Sequence, residues 1–259
     1  AWGSVQATDY NSGLTESSYT DDVLNLTTDG ISYPADADCR EMTISSKIIN
    51  FDINKENSLV VGADAYTSEA NKFSKLVLGN ENTEEINVAV KGEESTAIGL
   101  WSYNYADNGK KSFGNGSEFV VTSKILNIDV SGADARAITV QNNTQNSGNE
   151  SEPIAENRAK MTINADTIKI NSSGVGLQVI SNGQLDIIGD LNLTGKGSAI
   201  ETRGYSTTNI NVDGNHKTVI NGDIKFATPN IEGVDGHNSG NKIDATVNIN
   251  FKGQDSSWT

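Results

Sequence analysis

The chain has 259 residues, a formal net charge of −15 at pH 7, three prolines, one cysteine and two histidines. That length holds one large all-β domain or two smaller ones, and is enough to bury a core. The acidity argues against nucleic acid and anionic membranes, which need clustered Lys and Arg, and a lone Cys39 excludes an intramolecular disulfide framework or a thiolate zinc site.

Asn, Thr, Ser and Gly abound, while Ile, Val and Leu stand singly between polar residues, which is the pattern of half-buried strands. No apolar run approaches a membrane span. No export signal stands at Ala1, so an exported form is expected to have lost it already.

In chain order, residues 1–40 alternate only at Val23-Leu24-Asn25-Leu26 and are expected to cap the first open strand edge. Residues 41–259 then read as one continuous domain built on a repeat of three apolar stations. The first station is "MTIS" at Met42, "KLVL" at Lys75, "FVVT" at Phe119, "KMTI" at Lys160, "QLDI" at Gln184 and "NINV" at Asn209. The second follows at Ile49–Ile53, Ile86–Val90, Leu126–Val130, Ile168–Ile170 and Leu191–Leu193. The third is Ala97-Ile98, Ala137-Ile138 and Ala199-Ile200, with Leu59 and Leu177 standing in. Gly92, Gly132 and Gly195 lie just past the second station, where a corner is expected to need positive φ.

Three short alternating strands per unit predict an all-β fold, a β-solenoid whose strands pair with their counterparts one coil away. The shortest coils take about 25 residues and others about 34 to 43. The surplus falls after the third station, at Gly62 to Ser74, Trp101 to Ser117 and Gln141 to Ala159, so the loop insertions are expected on one edge.

Catalytic signatures are missing from the residues. His216 and His237 form no HExxH pair, and no serine has glycines two residues to either side. "GKGSAI" has Ile200 where a dinucleotide fingerprint needs its third glycine, and "DINKEN" from Asp52 has Asn57 and Ala63 where a calcium loop needs Gly and Glu. No metal, no cofactor and no enzymatic activity are therefore expected. One outward column reads Asp52, Ala89, Asp129, Asn171 and Thr194. Two carboxylates two coils apart lie about 9.6 Å from each other, too far to share a cation and at the upper limit for an inverting glycosidase pair, which leaves polysaccharide cleavage as the weakest alternative.

Two features remain. The neighbouring outward column reads Asn50, Asn87, Asn127, Lys169 and Asn192, so its amides are expected either to hydrogen-bond along the axis or to pair with a second copy. The excursion after Ile98 carries Trp101, Tyr103, Tyr105 and Phe113 in a chain with three Trp, seven Tyr and six Phe. Such aromatics stack on sugar rings or anchor a protein; alternatively they fold back over the flank as a local core.

The Asn/Thr/Gly-rich coils and the phrases "GDLNLTGKGSAI", "TTNINVDG" and "GQDSSWT" resemble the passenger domains of autotransporters, the secreted part of type V secretion proteins. The resemblance covers residues 41 to the C-terminus. It implies a right-handed parallel β-helix on the bacterial cell surface, exported through the periplasm and anchored by a translocator barrel beyond this sequence, with further coils expected after Thr259. It also implies an adhesin whose edge loops and flanks bind a host or microbial glycan or protein, or else a self-associating or passive stalk.

Overall fold

The computed structural model describes residues 4–67, 74–105, 117–145, 158–204, 206–226 and 245–259. Among these residues there is no helix. In chain order the strands are β1 (Ala7–Tyr10), β2 (Ser18–Tyr19), β3 (Val23–Thr28), β4 (Ala35–Asp36), β5 (Glu41–Ile44), β6 (Ile48–Ile53) and β7 (Leu59–Thr67). Next come β8 (Lys75–Leu78), β9 (Glu85–Val90), β10 (Thr96–Tyr105), β11 (Glu118–Val130), β12 (Arg136–Gln145), β13 (Ala159–Ser172) and β14 (Val175–Ile180). The last are β15 (Gly183–Gly195), β16 (Ser198–Thr202), β17 (Thr207–Ile210), β18 (Thr218–Asn221), β19 (Ile224–Phe226), β20 (Thr246–Ile249) and β21 (Ser257–Trp258).

Every strand pairing among the described residues is parallel, and no strand pairs with its neighbour in sequence. The strands fall into three rows. Row 1 holds β2, β5, β8, the first halves of β11, β13 and β15, then β17 and β20. Row 2 holds β1, β3, β6, β9, the second halves of β11, β13 and β15, then β18 and β21. Row 3 holds β4, β7, β10, β12, β14, β16 and β19. The chain visits the rows in the same cyclic order, and one such passage is called a circuit below. Ile98 stands beside Ile138, and Ile138 beside Leu177, as the repeat requires.

Alternation sets the inside. In row 2 the residues Leu24, Ile49, Ile86, Leu126 and Ile168 are buried one above another, while the residues between them face out. Together with the inward residues of the other rows they form one apolar core reaching from Leu14 to Ile220. Ala97, Ala137 and Ala199 are fully buried beside their isoleucines, as is Val60 at the same place one circuit before Ala97. Gly176 holds the same place in the circuit between: a Cβ there would come within 2.6 Å of the Ala199 carbonyl oxygen.

Four expectations change. The rows begin at Ala7 instead of Glu41, since β1 to β4, inside the segment expected as a cap, stand in register with later strands. Their weaker alternation reflects the end of the core: beside Leu24 and Leu26 the inward positions of β1 carry Thr8 and Tyr10.

Gly92, Gly132 and Gly195 do not carry the positive φ expected of them; among the described glycines it falls at Gly79, Gly189, Gly204, Gly214 and Gly222. At the corner after row 2 the left-handed residues are Asn57, Glu94 and Asp134, with φ of 52°, 53° and 52°. Gly92 and Gly132 are needed for a different reason: a Cβ on Gly132 would lie 2.0 Å from the Gly92 carbonyl oxygen, and one on Gly92 would lie 2.0 Å from that of Lys55. Backbone there runs against backbone.

Leu59 is not the counterpart of Ile98, which is Val61. Finally, the insertions begin later than the alternation suggested, because β7, β10 and β12 continue as strand to Thr67, Tyr105 and Gln145.

The first circuit also carries a titrating group. Thr8 and Tyr10 donate hydrogen bonds to Asp21 at 2.8 and 2.9 Å, and the Tyr10 ring meets Tyr19 edge-on at 5.6 Å. Burial, then the hydrogen bond and charge of Asp21, push the Tyr10 phenol up to about 12. The fold therefore favours the neutral phenol, so its stabilisation is complete below pH 10.0 and is lost as pH rises through about 12. Ultraviolet titration should show one tyrosine ionising late, and Asp21→Asn should bring it back toward the ordinary range.

Candidate functional site

Two surfaces rise from this frame, the outer face of row 2 and the lengthened strands of row 3.

On row 2 the outward residues Asp9, Asn25, Asn50, Asn87, Asn127, Lys169 and Asn192 occupy one column. Asn25 Nδ2 donates to Asp9 Oδ1 at 2.9 Å, Asn50 to Asn25 at 2.8 Å, Asn87 to Asn50 at 2.8 Å and Asn127 to Asn87 at 2.9 Å. Every amide points the same way. The carboxylate at the start explains it: Asp9 can only accept, so Asn25 must donate, and each amide oxygen is left for the next amide nitrogen. The final acceptor, Asn127, faces the circuit that places a donor, Lys169, in the column. Asn192 lies beyond that lysine, is exposed, and stands outside the run.

The same rule recurs on row 1. Asn209 donates to Asp186 at 2.7 Å and Asn248 donates to Asn209 at 2.8 Å. Sequence reasoning found Asn50, Asn87 and Asn127 but missed Asp9, Asn25, Asp186, Asn209 and Asn248. On row 1 the signal was present, Asp186 one circuit ahead of Asn209, whereas on row 2 the missing apolar alternation of β1 hid Asp9.

The acidic column also has the expected register, with Asp52 beside Ala89 and Ala89 beside Asp129. Each carboxylate has a partner, Lys91 Nζ at 3.4 Å from Asp52 and Asn171 Nδ2 at 3.1 Å from Asp129. His216 is half-buried at a corner with its Nδ1 3.5 Å from Asp190 Oδ1; His237 lies outside the described residues.

On row 3, β7, β10 and β12 have nine, ten and ten residues, against six, five and three for β14, β16 and β19. The extra residues pair in register: Trp101 beside Asp64 and Gln141, Tyr103 beside Tyr66 and Asn143, Tyr105 beside Gln145. Positions 101, 103 and 105 share one face of β10 by the two-residue period. The structure thus puts Trp101, Tyr103 and Tyr105 on a strand and adds Tyr66 next to them, which repeated aromatics in successive insertions could have suggested. Phe113 lies outside the described residues.

Trp101 divides its role. It is half-buried, its indole Nε1 is shielded from water without a hydrogen-bond partner, and that nitrogen is 3.5 Å from where a Cβ on Gly99 would be. Leu59, only 1% exposed, lies on the same outer side, within 2.4 and 2.5 Å of Cβ positions on Gly62 and Gly99. The two glycines make room for it. Leu59 and Trp101 therefore form a small apolar cluster outside the main core, where they anchor the root of the extension.

Compared with known proteins, the chain matches no family model, no curated protein and no solved structure.

Proposed function

We propose that the chain is a right-handed parallel β-helix with three strands per coil, and that it acts as the passenger part of a bacterial cell-surface adhesin. The cyclic order of the rows supports the helix, and the strong preference of parallel crossovers for one hand supports its sense. In this reading the amide run of row 2 is structural. The partner-binding surface is the row 3 extension, with Tyr103 and Tyr105 as its contacts and Trp101 as its anchor.

The observation that carries this reading is the joint lengthening of three consecutive strands at one corner. Three strands that only close a coil have no reason to outgrow their successors together, whereas a shared platform raised from the rod gives aromatics a rigid base. A passive stalk is the second reading, favoured by the regular row 2, whose strands run from β1 to β21. No catalytic role is assigned to Asp52 and Asp129, whose carboxylates are engaged by Lys91 and Asn171.

A screen of glycans and matrix proteins, run with the native chain and a Tyr103→Ser/Tyr105→Ser variant, tests the proposal. The partner retained by the native chain should bind the variant at least tenfold more weakly at an unchanged melting temperature. Equal binding would reject the extension as the site, and a native chain that retains nothing would leave the stalk.

A further inference from the structure

The outer face of row 2 has two depressions that the structural reading of the amide run does not use. They lie along the strip between the amide column and the column of Thr27, Asp52, Ala89, Asp129 and Asn171, which are in register with one another. One, of about 440 Å³, is lined by Asp9, Asn25, Thr27, Asn50 and Asp52 among others. The other, of about 320 Å³, is lined by Asn127, Asp129, Lys169 and Asn171 among others. Ala89, with only a methyl group, is the residue of that column between them, and we take the strip from one depression to the other as a single furrow.

The chemistry of the furrow follows from what the ladder leaves over. A primary amide has two N–H donors and two lone pairs on its oxygen. Asn25, Asn50 and Asn87 each spend one donor and one lone pair on their neighbours, so each keeps one of both. These spare groups recur once per circuit, about 4.8 Å apart, and are held in place by the ladder itself, so a ligand need not freeze them. A matching ligand must offer a group that both donates and accepts at that interval.

Hydroxyls do this, and an extended β-1,4-linked pyranose chain advances by nearly one strand spacing per sugar. Alternate sugars are turned over, so that one edge of the chain offers a hydroxyl to each rung and the same hydroxyl to every second rung. An extended peptide does not fit, because its same-face residues recur about every 6.6 Å and lose register after two rungs. Asp9, Asp52 and Asp129 outnumber the cations beside them, Lys91 on Asp52 and Lys169 near Asp129, and together with the net charge of −15 they disfavour uronates and sulfated sugars.

We propose that this furrow is a cradle for a neutral, linear β-1,4-linked polysaccharide lying along the rod axis. The proposal rests on the reading that the chain works by attachment, but it uses a different face from the row 3 extension. A ligand lying along the axis gains contacts with each added sugar.

Cellohexaose is the probe. It should perturb the side-chain amide resonances of Asn50 and Asn87 and bind at least tenfold more tightly than cellobiose, whereas an oligogalacturonate of equal length should not bind. Ala89→Arg and Thr27→Arg, both outward and clear of the ladder, should each weaken cellohexaose at least tenfold without changing the melt. Absence of cellohexaose binding, equal affinity for cellobiose, equal affinity for the uronate, or undiminished binding by both variants would overturn the proposal. Tyr103→Ser/Tyr105→Ser should bind cellohexaose like the native chain. A protein that keeps its screened partner but ignores cellohexaose loses the furrow alone, and the opposite result loses the extension alone.

Discussion

Gly132→Val should cost about 3 kcal/mol or more and lower the unfolding midpoint by roughly 6–12 °C. The valine Cβ would fall 2.0 Å from the Gly92 carbonyl oxygen and 2.5 Å from its carbon, and neither can retreat, because a Cβ on Gly92 would itself press on Lys55 of the circuit before. The strain passes through backbone, so no rotamer relieves it. Gly30, where nothing lies within 4 Å of an added Cβ, is the control, and Gly30→Ala should stay within about 0.5 kcal/mol of the native chain. Calorimetry on the two variants checks the pair of expectations. A Gly132→Val protein as stable as Gly30→Ala would mean that the circuits are not stacked this closely.

Asn87→Leu should cost about 1–3 kcal/mol, because it removes two amide bonds and leaves the Asn50 oxygen and the Asn127 nitrogen without their partners in a half-buried column. Asn192→Leu, in the same column but exposed and beyond Lys169, should change stability by less than about 0.5 kcal/mol. Asn87→Asp tests the direction of the ladder. An ionised carboxylate still accepts from Asn127 but cannot donate to Asn50, so two acceptors face each other. Its deficit should shrink as the pH is lowered and the carboxyl regains a proton to donate. Urea titrations of the three variants at neutral and acidic pH measure this, and an Asn87→Asp deficit independent of pH would contradict the common orientation of the amides.

The ladder and the extension were legible to different degrees, for a physical reason. Asn50, Asn87 and Asn127 could be aligned from sequence because the strands holding them alternate strictly, and alternation fixes which side chains share a face. Asp9 could not be aligned, because the inward positions of β1 are Thr8 and Tyr10 and the apolar signal fades at the end of the core. Tyr103 and Tyr105 were visible as an aromatic group, but their strand conformation depends on hydrogen bonds to β7 and β12, whose own sequences look like polar insertions. Leu59 was misplaced because it counts as apolar in any pattern. Only the absence of side chains at Gly62 and Gly99 explains why it packs on the outer side of row 3.

By itself the sequence determined that this protein is built from short parallel strands with one face wet, that like positions line up from circuit to circuit, and that surplus residues enter at one corner. Those features follow from a side-chain period of two and from repetition, both of which are local. The tertiary structure decided where the rows begin, why Gly92 and Gly132 must be glycine, which way the amides point and how far β7, β10 and β12 run. Each of these depends on the distance between backbones from different circuits, and no single stretch of chain contains that distance.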